Sequence, residues 1–245
     1  MTDLLLYDHR SSICSQMTRL ALVEKELSFR RRSVDIMETN EQFEAWYVAL
    51  NPRAVVPTLL IDGEIVTDTV KIVNRVNALP GPDLSGDATT HGWLNDIMAL
   101  HYGVLLYRKR LEADGSARQI VARGRLLQTL KTERPDIARL VDARLEGNRR
   151  FQALLKDPLA IDTHVVATHA LIDRMARVLS GKPYLAGETY SLADCFATAA
   201  LARFKIHGFE PHWQDTALAG YYGRMRSRSS FGDAEVIDTG SERDL

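Results

Sequence analysis

Of the 245 residues only two are cysteines, Cys14 and Cys195, too few and too far apart for a disulfide framework. No CxxC pair and no Cys/His cluster supplies a zinc ligand set. The seven histidines are scattered, and His164/His169 and His207/His212 stand five apart, a spacing that does not share one helix face, so no metal is expected. No apolar run approaches the ~20 residues that span a bilayer. The N-terminus lacks a basic stretch followed by an apolar core, so no signal peptide and a reducing cytoplasm are expected. One-signed charge is missing too. Net charge is −1, which gives no general pull toward nucleic acid or anionic membrane.

What is present is an ordinary soluble composition, 45% hydrophobic and 26% charged. The chain opens with a short buried strand over 3–7, followed by Met17, Leu20, Val23 and Leu27 at helical spacing. Residues 29–35 read as a second strand whose three arginines face solvent. Glu41–Leu50 carries Phe43, Trp46, Tyr47 and Leu50 as one helical core stripe. Pro57 opens an apolar strand, and Asp62-Gly63 between two apolar runs is a hairpin turn. Thr67 or Asp68 then caps a helix that buries Ile72, Val73, Val76 and Leu79. The order is β-α-β-α-β-β-α, an α/β unit with a mixed sheet.

Pro80-Gly81-Pro82 breaks the chain and strands stop. Helices are expected near 88–107, 115–130, 136–155, 160–180, 191–207 and 217–227. This gives an α/β domain over 1–80, an all-helical domain over 88–232 and a fraying tail over 233–245. Residues 108–150 hold 12 Lys/Arg against 6 Asp/Glu, an excess of +6. Without interleaved aromatics this reads as a solvated face or a rim for an acidic small molecule rather than a nucleic-acid groove. Ser191 and Asp194 have the layout of a capping box, with Cys195 as a buried wall of that helix.

Ser11-Ser12-Ile13-Cys14-Ser15 lies where the first strand feeds the first helix. Unpaired N–H groups and the macrodipole make that end electropositive. A thiol or hydroxyl there is a candidate nucleophile or thiolate stabiliser. The alternative is a serine cap with Cys14 as a small buried residue. Arg19, one turn on, either steers an acidic substrate or pairs with a carboxylate.

These residues resemble the glutathione transferase superfamily over about 4–79 and 183–230, with a thioredoxin-like α/β N-terminal domain and an all-α C-terminal domain. The Ser11–Ser15 run, Thr18-Arg19-Leu20-Ala21 and Ala54-Val55-Val56-Pro57-Thr58-Leu59 are similar to bacterial tetrachlorohydroquinone reductive dehalogenases. They are more loosely similar to zeta-class maleylacetoacetate isomerases. The resemblance implies glutathione as co-substrate, no metal, a small electrophilic substrate and a homodimer. It implies Ser12 as thiol activator with Ser11 as fallback, and Cys14 as the thiol that takes glutathione from an aryl conjugate. Val56 and cis-Pro57 would hold the cysteinyl part. Asp68-Thr69 would hold the γ-glutamyl end, where most members carry Glu-Ser or Gln-Ser. The implied activity is thiol transfer or reductive dehalogenation. The alternatives are cis–trans isomerisation and a non-catalytic binding role. His101, Tyr102 and Tyr107 are candidate substrate-pocket residues.

Overall fold

The computed structural model describes residues 2–114 and 117–239. Strand β1 (Leu4–Asp8) leads to α1 (Ile13–Glu24) and β2 (Arg30–Ser33). A short 3-10 turn (Glu41–Phe43), α2 (Ala45–Leu50), β3 (Thr58–Ile61), β4 (Glu64–Thr67) and α3 (Thr69–Asn77) follow. The sheet order is β2-β1-β3-β4. β1 pairs parallel to β2 and antiparallel to β3, and β3 pairs antiparallel to β4. Central β1 buries Leu4 and Leu6 beside Leu59 and Ile61 of β3. Asp62 and Gly63 take φ of +50° and +85°. Both lie in the left-handed region that a two-residue I′ hairpin turn requires.

The helices that follow are α4 (Thr90–Ala99), α5 (Tyr102–Asp114), α6 (Arg118–Glu133), α7 (Ala138–Leu154) and α8 (Pro158–Leu179). The last three are α9 (Leu192–Ile206), α10 (Ala217–Ser227) and α11 (Ser229–Asp233). The fold is thus a mixed four-stranded α/β region followed by helices. Of the helix expected from 115, residues 115 and 116 lie outside the described residues. The single helix expected over 88–107 is two. His101 ends the continuity by capping α5, its Nδ1 and carbonyl both accepting from the Val104 N–H. The 41–50 stripe is also interrupted, because Glu44 is extended with ψ of 148°.

Two compact units divide the chain. One holds the described residues of Met1–Ala99 and Leu171–Leu245; in it α1 packs against α3, α9 and α11, and α4 packs against α9. The other is Leu100–Ala170, where α6 and α7 pair around buried Leu127, Val141 and Leu145. Asn148 on α7 donates to the Ile120 carbonyl on α6 at 3.0 Å. Lys131 meets Asp142 at 2.6 Å.

The tail expected to fray from residue 233 is packed as far as Asp238. Ala234, Val236, Ile237 and Asp238 are buried. Arg19, with no solvent exposure, donates through Nε to the Ala234 carbonyl at 2.6 Å and through Nη1 to Asp8 at 2.5 Å. Gln16 accepts from the Ile237 N–H at 3.2 Å, and Arg226 meets Asp238 at 2.6 Å. The α1 partners of this segment lie more than 200 residues upstream, which is why local apolar content missed them. Residues 240–245 lie outside the described residues. Of the two expectations for Arg19, the structure shows the pairing with a carboxylate. The three strand arginines are exposed, as expected, and two of them also have partners: Arg31 pairs with Asp8 and Glu235, and Arg32 stacks 3.8 Å over the Trp46 ring.

Candidate active site

Strand register gathers the site at one end of the sheet. Tyr7 of β1 lies opposite Thr58, and Thr58 lies opposite Thr67. The turn after β1, the Val56–Pro57 step before β3 and the start of α3 after β4 therefore meet at the same edge.

Helix α1 begins four residues earlier than the Met17 periodicity suggests, with Ser12 as N-cap and Cys14 in the first turn. Ser12 Oγ accepts from the Ser15 N–H at 3.3 Å. That bond uses an oxygen lone pair and leaves the hydroxyl hydrogen available to a ligand. Ser11 is placed differently. Its N–H donates to His9 Nδ1 at 3.3 Å, so Nδ1 is the acceptor, and its Oγ lies 3.0 Å from the same nitrogen. The Ser11 hydroxyl hydrogen is then committed to His9. Burial lowers the His9 pKa, which favours the neutral ring this arrangement needs.

Cys14 is half-buried. Burial pushes its thiol pKa up, opposed by a hydrogen bond from the Thr69 side chain and by the Arg203 charge, while Asp68 adds to the rise. The free protein therefore holds Cys14 as a thiol at neutral pH. Thr69 is the buried first residue of α3, and Asp68 is its N-cap, accepting from the Lys71 N–H at 3.2 Å. Asp68 also lies 3.6 Å from Arg53, and its φ of +80° is in the left-handed region. Arg203 reaches in from α9 and donates through Nη2 to the Ser11 carbonyl at 2.6 Å.

The Val56–Pro57 peptide is cis. The preceding Val55 carbonyl accepts from Tyr47 Oη at 2.7 Å and from Asn51 Nδ2 at 2.8 Å. Among the described residues, the Val56 N–H and carbonyl make no hydrogen bond.

Ser11, Ser12, Cys14, Asp68 and Thr69 are thus brought together, with Val56–Pro57 at the same sheet edge and fixed by α2. Sequence reasoning missed Arg203. The available signal was an arginine, the one charged residue within Cys195–Phe204. His101 and Tyr107 belong to the unit Leu100–Ala170, where both pack on Phe151 at ring distances of 4.9 and 5.7 Å. The Ser191–Asp194 box forms around a buried carboxylate that accepts from the Ser191 N–H at 2.9 Å and Tyr221 Oη at 2.7 Å. Cys195 is fully buried, and burial raises its pKa. Among the described residues, no group of three or more His, Cys, Asp and Glu could hold a metal, and no helix is long and apolar enough to cross a membrane.

Two family models match, the glutathione S-transferase N-terminal domain over residues 11–79 and the C-terminal domain over 158–224, together more than half of the chain. A tetrachloro-p-hydroquinone reductive dehalogenase of Sphingobium chlorophenolicum is 28% identical over 97% of both chains. Glutathione S-transferase TCHQD of Arabidopsis thaliana is 27% identical, over 92% of this chain and 87% of its own. The crystal structure of the beta-etherase LigF from Sphingobium sp. strain SYK-6 superposes with a TM-score of 0.71 at 21% identity, covering 94% of this chain and 98% of that one. With the matched domains carrying the strand-to-helix turn, the Val56–Pro57 step and the capped helix α9, the chain belongs to the glutathione S-transferase family.

Proposed function

We propose that this chain is a glutathione-dependent transferase for electrophilic aromatic or quinoid compounds, acting on chlorinated hydroquinones as a reductive dehalogenase. The carrying observation is Cys14 in the first turn of α1, two residues beyond a serine with an available hydroxyl hydrogen, with Thr69 and Arg203 both favouring its thiolate. The dehalogenase relative, alike over nearly its whole length, supports the substrate class. Residues 1–80 form the glutathione-binding part in this reading and 88–232 the substrate-binding part. Two cysteines without a disulfide suit a reducing cytoplasm, and the family resemblance carries the expectation of a homodimer.

Glutathione's thiol has a free pKa of about 8.5, and lowering it by about 2 units takes roughly 2.7 kcal/mol. A Ser12 hydroxyl donated to the sulfur and the α1 N-terminus supply stabilisation of that order. The Val56 backbone pairs with the cysteinyl part, and Asp68 and Thr69 hold the γ-glutamyl end. The glutathione thiolate adds to the chlorinated carbon of the quinoid tautomer, a C–S bond forms and chloride leaves. Cys14 sulfur then attacks the glutathione sulfur. An S–S bond forms, the C–S bond breaks and its electron pair stays on the ring carbon. That carbon takes a proton, balancing the one Cys14 loses. The carbon is reduced and the two sulfurs are oxidised to a mixed disulfide. A second glutathione thiolate releases glutathione disulfide and restores Cys14.

The test is stoichiometry with tetrachlorohydroquinone. The reading expects one chloride and one glutathione disulfide for every two glutathiones consumed. Conjugate accumulating without disulfide would remove the reductive step and leave simple transfer. Turnover of a maleylacetoacetate-like diene with no net glutathione consumption, and no chloride release, would replace the reading with isomerisation.

A further inference from the structure

Arg203 stands out because helix α9 is buried almost throughout, and an arginine inside such a helix needs a reason. It is buried and reaches across to α1, where Nη2 donates to the Ser11 carbonyl at 2.6 Å. That carbonyl belongs to the residue before the α1 N-cap, so the bond fixes the entry of the turn that carries Ser12 and Cys14. We propose that Arg203 is a positioning residue for the exchange step, holding the Ser11–Cys14 turn and bringing a fixed positive charge to it. The inference rests on Cys14 being the attacking thiol of the proposed reaction.

Three helices pack on α1. From α3, Asp68 opposes ionisation and the Thr69 hydroxyl favours it. From α9, Arg203 supplies the favourable full charge. From α11 and its N-cap, Arg228 and Ser230 engage Glu24 at the other end of α1, three turns away. On the turn itself His9 is held toward its neutral form by burial. Arg203 is thus the cation placed to offset burial of the sulfur. An opposite charge favours the thiolate and so limits the rise that burial imposes on Cys14.

The test is the pH dependence of Cys14 alkylation by iodoacetamide in the full-length protein without substrate, read by mass spectrometry. Cys14→Ser identifies the signal, since Cys195 is fully buried. Arg203→Gln keeps an N–H donor and loses the charge. Its alkylation midpoint is expected to rise by about one pH unit, with about tenfold slower alkylation at neutral pH. Arg203→Lys keeps the charge and is expected to stay within about 0.3 unit of wild type, a twofold change at most. A Gln profile that coincides with wild type overturns the proposal. So does a Lys profile displaced by a full unit, which stays decisive should the Gln variant fail to fold. Chloride release is measured separately. Its absence in wild type with the Gln displacement present removes dehalogenation while supporting the action of Arg203 on Cys14.

Discussion

Two adjacent serines differ in where their hydrogen atoms go. Ser11 commits its hydroxyl to His9 Nδ1, and Ser12 spends only a lone pair on its helix. Ser12→Ala is therefore expected to raise the pKa of bound glutathione by about one to two units, the size of one hydrogen bond to a charged group. Thiolate ultraviolet absorbance against pH reads it. The substitution also removes a cap, lowering stability by about 0.5–2 kcal/mol. Ser11→Ala is expected to leave the glutathione pKa in place, and a shift in Ser11→Ala without one in Ser12→Ala would reverse the assignment. At this scale the sequence was partly legible. Ser12, Cys14, Asp68 and Thr69 stand out because each sits at a strand-to-helix junction, and local pattern marks such junctions. Arg19 and Arg203 were opaque, because an arginine's role is set by partners distant in the chain.

The C-terminal segment is held by α1 through one buried hub. Arg19 joins Asp8, the Ala234 carbonyl and the Arg10 carbonyl, which lies just before the Ser11–Ser12 turn. Removing one partner of a buried ion pair strands the other charge in a dry site. Asp8 keeps Arg31 as a second partner at 3.1 Å, so Arg19→Met is expected to lose about 2–4 kcal/mol in urea unfolding, below the full cost of a stranded charge, and a loss below about 1 kcal/mol would show that the hub does not hold the segment. Arg30→Ala, which breaks an exposed pair with Asp3, is expected to change stability by about 0–1 kcal/mol. Elements set by short-range chemistry were legible in the residues themselves: the Asp62-Gly63 hairpin, the Asp68 cap and the Ser191–Asp194 box. The break between α4 and α5 was not, since no proline marks it, Gly103 lies inside α5 and His101 caps through its ring. The packing of Val236 and Ile237 was not, since two apolar residues in a polar stretch carry no period.

Over the whole chain, the element order and the loss of strands after Pro80 were enough to give the fold class. The packing division at residues 99 and 171 follows from α4 and α9 packing together and α9 packing on α1, contacts that composition does not encode. The acidic residues of 108–150 form exposed pairs such as Lys131–Asp142, Arg134–Asp136 and Arg149–Glu146, each taking one base for one acid, so the excess of +6 stays on the helical surface. The proposed chemistry is placed at the sheet edge where β1, β3 and α3 converge, and its central claim is that Cys14 carries glutathione during turnover. The most direct measurement is mass spectrometry of the intact protein quenched during turnover with glutathione and tetrachlorohydroquinone, wild type beside Cys14→Ser. The account predicts a disulfide-linked glutathione on Cys14 that appears only with substrate and disappears with excess glutathione. It also predicts a Cys14→Ser protein that stops at the aryl conjugate. A wild type without adduct, or a Cys14→Ser variant that dechlorinates at the wild-type rate, would contradict it.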